Sequence, residues 1–482
     1  MKKTLLGLLL TFGIAFILNA QTTFNLVQTV TLTPSDDPYA IAAGDIDKDG
    51  YDDILYASSG NGTFSWLKND GTGNFAAPVT IGAGGHSFPN AVAIADLNND
   101  TYNDVILSTY TSVIWYPNDQ AGGFLPVETI GTINGSGPVL VRTIDSGSTL
   151  DVAVSAFDGN EVVWFSNDGS GNFGSKNIIN NTIINPAAFD MADIDGDGDV
   201  DAVISNARVF GTPNDSRIEV FYNDGFGVFT ADTNPVADNT KDYVWSVVFA
   251  DVDNDENDDA TANNAMDILV TDLNGNASWY KRTEISSGTA TYSETPFTTS
   301  IVNPATIAFE DLDNDALKDV VLSSGTSGTG NDIVWFKNND SGTFASEDIL
   351  DATQSQVYTM AFGYFDEDRD DPNFDINKDI DIASAAYNND NIKIFDNQKV
   401  VLSIDDSSLT KFSIYPNPTK NTLNFKVPFT ENFKVSVYDV LGKNVLDASL
   451  EANKSLDVSK LNAGIYILKF NDYNTSFKFV KQ

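Results

Sequence analysis

One nine-residue pattern recurs along the chain, acidic at its first, third, fifth and ninth places, and it constrains the fold more than any other feature. Its first copy, DIDKDGYDD, places Asp45, Asp47, Asp49 and Asp53 around Gly50 and runs straight into Ile54-Leu55-Tyr56-Ala57. Carboxylates on alternate residues of a tight loop converge, and their repulsion is costly unless a cation sits among them. A hard cation with flexible oxygen coordination, Ca²⁺, suits such a cage best. Gly50 lets the backbone turn sharply between the acids. The start resembles an EF-hand loop, but the twelfth place holds Tyr56 rather than glutamate, and a strand-like run follows instead of a helix. The pattern therefore predicts a Ca²⁺ loop between two strands.

The second copy has Asp96, Asn98, Asp100 and Asp104, and the fourth has Asp193, Asp195, Asp197 and Asp201. The fifth has Asp251, Asp253, Asp255 and Asp259, and the sixth has Asp311, Asp313, Asp315 and Asp319. A worn third copy keeps Asp145 and Asp151 but has Thr143 and Gly147 at two acidic places. The seventh starts at Tyr364 and is interrupted between Asp368 and Asp379. First positions fall at 45, 96, 143, 193, 251, 311 and 364, so the spacing is 47 to 60 residues. A period of this size signals a repeat architecture. Each unit reads as an apolar run, the acidic loop, a strand, a turn, a strand with an aromatic pair, a Gly-rich turn such as NDGTGNF, and a last short strand. Four strands per unit indicate a propeller blade. The expected fold is all-β: a seven-bladed β-propeller followed by a small β-sandwich.

The ends of the array predict closure. The seventh unit stops near Ile392-Lys-Ile394-Phe395 without a final strand, and FNLVQTVTL from Phe24 resembles the missing one. Residues 24–33 are therefore expected to complete the last blade and hide two unpaired sheet edges.

Domain boundaries follow from changes in character. Residues 1–20 read as a signal peptide: Lys2 and Lys3, an apolar core from Leu5 to Leu18, and Ala20 before the cut. The apolar run is short for a membrane span. Residues 21–398 form the propeller, 399–411 an acidic linker, and 412–482 a lysine-richer segment of alternating apolar and polar residues. A net charge of −41 disfavours nucleic acid and anionic membranes as partners. With no cysteine, disulfides cannot staple the fold, so an exported form must rely on core packing and metal.

The repeats over residues 40–397 resemble the FG-GAP/VCBS family, the propeller repeat also seen at the head of integrin α chains. The residues that carry the resemblance are the acidic loops and the NDGxGxF-like turns at Asn69–Phe75, Asn167–Phe173 and Asn223–Phe229. The resemblance implies Ca²⁺ in the first, second, fourth, fifth and sixth loops. The C-terminal segment resembles a type A sorting domain of the Bacteroidetes type IX secretion system. It does so through Tyr415-Pro-Asn-Pro418, VYDVLG from Val437 and LNAGIYILK from Leu461. That implies handling by the type IX secretion machinery, export across the outer membrane, removal of the domain, and a secreted or surface location for a mature chain that does not span the membrane.

No catalytic set emerges. His86 is the single histidine and cysteine is absent, so His-paired nucleophiles have no basis. His86 is expected to fill a Gly-rich loop, and the third-strand aromatics, Trp66 through Phe395, to pack between blades. Insertions at Asp255 to Met266 and Asp368 to Lys378 are expected to project from a face. The expected function is a calcium-binding module for an extracellular glycan or protein. The alternatives are a polysaccharide-active enzyme with loop-borne catalytic residues and a passive surface scaffold.

Overall fold

The computed structural model describes residues 22–82, 84–207, 216–241, 243–253, 266–272, 275–286, 289–326, 331–339, 342–366, 379–399, 413–426, 433–439, 443–450, 455–470 and 475–482. The expected signal peptide, most of the expected linker and nearly all of both expected insertions lie outside these residues. The chain divides into two compact units, Met1–Val400 and Val401–Gln482.

Unit one is a ring of seven antiparallel sheets. The inner strands are Pro38–Gly44, Ala91–Ala95, Val139–Arg142, Pro186–Ala192, Val244–Ala250, Pro304–Glu310 and Val357–Gly363. The second strands are Asp53–Ser58, Asp104–Ser108, Asp151–Ala156, Asp201–Asn206, Asp267–Asp272, Asp319–Ser324 and Asp381–Ala386, and all are buried along their length. A strand covered on both faces needs a near-continuous apolar run, as DILYAS shows. The last blade is completed by Thr22–Thr31, which pairs antiparallel with Asn391–Lys399 from Thr22↔Lys399 to Thr31↔Asn391. The closing strand expected at 24–33 thus lies at 22–31.

The core is distributed between blades. Seven apolar layers each draw on two adjacent blades. The layer joining the seventh to the first combines Val30, Ala383 and Ile392 with Ile41, Ile54 and Tyr56. Completely burying one such aliphatic side chain contributes about 1.5–3 kcal/mol. The third-strand aromatics sit in these layers, as expected. Trp164 and Trp279 press on the Gly-rich turns of the following blades, where a Cβ on Gly227 or Gly342 would lie 2.2 or 2.1 Å from the indole. Both glycines also have positive φ, +80° and +68°, so no other residue fits. His86 meets Tyr116 Oη through Nε2 at 3.1 Å, a partner invisible in the sequence.

Chain direction separates two faces. Acidic loops join first to second strands and Gly-rich turns join third to fourth, so both lie on one face. The second-to-third turns and the blade-to-blade connections lie on the opposite face.

Unit two is a small β-sandwich. One sheet contains Ser413–Tyr415, Thr422–Lys426 and Ser455–Asp457, and the other contains Phe433–Asp439, Asn444–Leu450, Gly464–Phe470 and Thr475–Lys481. Leu423 and Phe425 of the first pack on Phe433, Val435 and Phe470 of the second.

Candidate functional site

Each acidic loop is shaped by its own first acid. Asp45 accepts the backbone N–H of Asp49 at 3.1 Å and of Gly50 at 3.0 Å. Asp96 accepts from Asp100 and Thr101, and Asp311 from Asp315 and Ala316, at 2.8–3.2 Å. Asp193 accepts from Gly196 and Gly198. In these four loops the sixth place has positive φ: Gly50 at +101° and Gly198 at +98°, but also Thr101 at +75° and Ala316 at +73°. The second and sixth loops adopt a turn that suits glycine without having one, which costs roughly 1–2 kcal/mol per residue.

The turn aims the acids at one point. One oxygen from each of Asp45, Asp47 and Asp49 lies within 4.8 Å of the other two, and the same holds for Asp193, Asp195 and Asp197 and for Asp311, Asp313 and Asp315. In the second loop Asp96 Oδ1 and Asn98 Oδ1 both accept the Asp100 amide, at 3.1 and 3.0 Å. In the fifth loop Asp253 is buried and paired with Lys281 at 2.6 Å, and Asp251 lies partly buried. Asp255 and Asp259 fall outside the described residues. The third loop forms no cluster, and Asp145 caps Gly147 N–H at 2.8 Å.

Two observations point to a cation in these clusters. Asp47 Oδ1 and Asp313 Oδ1 are buried with no hydrogen-bond partner, an expensive condition for an ionised carboxylate. Lysine ammonium groups are also drawn to the acids: Lys68 contacts Asp47, and Lys337 contacts Asp313 and lies 2.7 Å from Asp315. Burial, then the charge of Asp197, raises the Asp195 pKa above the usual aspartate value.

The ninth-position acids stand apart from the clusters. Asp53, Asp104, Asp201 and Asp319, expected as ligands with the rest, are buried and lie outside the converging groups. Asp53 accepts Ile46 N–H at Oδ2 and Asn69 N–H at Oδ1, at 3.2 and 2.8 Å. Asp104, Asp201 and Asp319 repeat this pair of bonds, as do Asp151 and Asp381 in blades without a full cluster. In the fifth blade Asp267 starts the second strand and accepts Arg282 N–H at 2.8 Å, so Asp267 takes the clamp's place there. Burial pushes Asp53, Asp104, Asp267 and Asp319 up to about 7 and Asp201 and Asp381 up to about 8.

The asparagine that opens the Gly-rich turn in five blades, with Asn397 at the same place in the seventh, completes a stitch the sequence reading missed. Asn118 Nδ2 donates to Ile46 O of the preceding blade at 2.8 Å, and Asn167, Asn223, Asn338 and Asn397 do likewise. Asn69 closes the ring on Phe365 O of the seventh blade, also at 2.8 Å. Each loop is thus clamped by its own blade, and all but the fourth are also held by an asparagine of the next. The only sequence signal was the recurrent Asn before Asp in those turns.

Comparisons with known proteins agree with this architecture. The family model "FG-GAP-like repeat" matches residues 13–56, 45–107 and 148–204, and "Secretion system C-terminal sorting domain" matches residues 413–482. No curated protein matches the chain in sequence. Among solved structures it is similar to BBS1N in complex with ARL6DN, at 9% identity and a TM-score of 0.52, over 78% of this chain and 98% of that one. It is also similar to an Agrocybe aegerita lectin that recognises non-reducing terminal N-acetylglucosamine, at 17% identity and a TM-score of 0.45, over 67% and 81%. The chain therefore carries FG-GAP-like repeats in a β-propeller, followed by a type IX secretion sorting domain. It engages that secretion machinery and is secreted or displayed at the cell surface.

Proposed function

We propose that the exported chain is a calcium-binding propeller that serves as a binding or adhesion module for an extracellular glycan or protein. The observation that carries the calcium reading is the convergence of three carboxylates in the first, fourth and sixth loops, with buried, unpartnered oxygens on Asp47 and Asp313. All of these donors are oxygens, which suits a hard divalent cation. Asp45, Asp47 and Asp49 would hold one ion, Asp193, Asp195 and Asp197 another, and Asp311, Asp313 and Asp315 a third. Asp96, Asn98 and Asp100 offer a fourth oxygen set, and Asp251 and Asp253 part of a fifth. The ion offsets the loop's charge, and in the first and sixth loops the Asp clamp and Asn stitch pass its stabilisation to the loop's own blade and to the next. Calorimetric titration of the mature chain with Ca²⁺ tests this, and absence of binding heat at any concentration up to millimolar overturns it.

The domain reading is part of the proposal: a signal peptide over 1–20, the propeller over 21–398, a linker cut on export over 399–411, and the sorting domain over 412–482. Mass spectrometry of the extracellular protein should find a C-terminus ahead of Phe412. A mature form ending at Gln482 contradicts the cut.

A further inference from the structure

We infer that the face opposite the acidic loops carries a cleft for neutral pyranose glycans, built where the sevenfold repeat is broken. This rests on the binding-module reading above and gives it a site.

All seven inner strands begin at this face, so their first residues are equivalent by repeat. In blades 1, 5 and 7 the second residue is Tyr39, Trp245 or Tyr358. Counted as six residues before each acidic loop's first position, the same place in the other blades holds the smaller Asn90, Gly137, Ala187 and Ala305. The large rings gather on one side of the axis. Tyr39 lies 5.1 Å from Tyr358, and Trp245 reaches Tyr358 at 6.0 Å across the small Ala305 of blade 6. Beside this wall opens a cleft of about 520 Å³, within the range of small-ligand sites. Phe88, Tyr110, Phe157 and Asp158 line its far side, and it adjoins an axial cavity of about 750 Å³ through Tyr39, Asn90 and Tyr358.

Backbone strain marks the same place independently. The residue eight places before each loop's first position has positive φ in all seven blades, Gly135 holding it in the third at +81°. Asp37, Asn185 and Asn303, at +51°, +50° and +50°, are of the types that tolerate this region. Phe88, Tyr243 and Gln356, at +46°, +55° and +57°, are not. Phe88 and Gln356 line the cleft, and Tyr243 lies 4.7 Å from Trp245 in the wall. Strain kept where the repeat itself shows the relaxed solution points to a ligand.

The chemistry selects the ligand class. Phe88 is 67% exposed, and its ring lies 5.9 Å from that of Tyr110, giving apolar platforms for the C–H faces of sugar rings. Tyr110 Oη donates to Asp158 Oδ2 at 2.7 Å, which leaves the other carboxylate oxygen for a ligand hydroxyl. The Gln356 and Asn90 carboxamides supply neutral donors and acceptors. No lysine or arginine is among the described residues lining the cleft, and the chain's net charge of −41 repels anionic polymers. An extended peptide would want an open strand edge, and this face presents turns instead.

The test measures binding of the mature chain to neutral hexasaccharides (cello-, laminari-, xylo-, manno- and chito-series), with polygalacturonate as the anionic comparison. Wild type should bind at least one neutral series and not polygalacturonate. Phe88→Asn installs the residue that Asn185 and Asn303 place at the same position. It should melt at or above the wild-type temperature yet weaken binding by about tenfold or more. Gln356→Asn should behave alike to a smaller degree. Wild-type binding that survives unchanged in both variants overturns this site but leaves the binding-module reading standing. Preference for polygalacturonate overturns the ligand class. No binding to any neutral series, alongside capture of protein ligands, overturns the glycan proposal altogether.

Discussion

The two faces of the propeller are built on opposite principles. On one, the repeat is obeyed: a buried aspartate takes two backbone N–H groups in six blades and that of Arg282 in the fifth, and six of seven blades reach back through an asparagine. On the other, equivalent places hold Trp245 in one blade and Gly137 in another. A task that every blade shares, holding the ring together, is served by identical residues. The cleft proposed beside the axis draws on only some of the blades, so it is built from exceptions. The third blade shows that the repeated face itself has two layers. It has lost two cluster acids, Thr143 and Gly147 standing in their place, yet it keeps the Asp151 clamp. Clamp and acid cluster are therefore separable.

The largest effects should come from the clamps. Asp53→Ala leaves the buried N–H groups of Ile46 and Asn69 without an acceptor, at roughly 1–3 kcal/mol each. Asp151→Ala should cost a similar amount although its loop has no acid cluster. Chemical denaturation of both variants checks this. An Asp151→Ala protein as stable as the parent would break the separation of clamp from metal.

Next come the cluster acids. Asp195→Ala should lower Ca²⁺ stoichiometry by about one and, at 100-fold excess over the dissociation constant, remove about 2.7 kcal/mol of stabilisation. The matched change in the worn loop, Asp145→Ala, should leave stoichiometry alone. Equal losses from the two would mean that the acid triad is not what binds.

A smaller effect is expected from pH, and it too belongs to one face. Buried clamps titrate near 7 to 8 in the folded chain and near about 3.9 when unfolded. Between those values the folded state holds more protons, so the stability they contribute is full below about pH 4 and declines as pH rises through the folded values. In chelator the melting temperature should fall from pH 5 to pH 8. Bound Ca²⁺, which favours the ionised loop, should flatten that slope, whereas Phe88→Asn should not alter it. A melting temperature that climbs from pH 5 to pH 8 in chelator contradicts the assignment.

Legibility in the sequence followed the same divide. The loops, the four-strand unit and the closing strand could be read because each recurs at a regular period. The clamp role of Asp53 was hidden because its second partner, Asn69, lies 16 residues away across a hairpin. In the fifth blade an insertion moves the clamp to Asp267, beyond the reach of a spacing rule. The cleft left no motif at all. Tyr39, Phe88, Asp158 and Tyr358 come from four blades, and only the ring brings them together.

Cations in the acidic loops are proposed to hold the ring. Thermal unfolding of the mature chain, with Ca²⁺ and again with excess chelator at pH 7.5, tests it most directly. The account predicts a substantially lower melting temperature in chelator, restored by added Ca²⁺ and not by an equal ionic strength of sodium chloride. A melting temperature indifferent to chelator would contradict it.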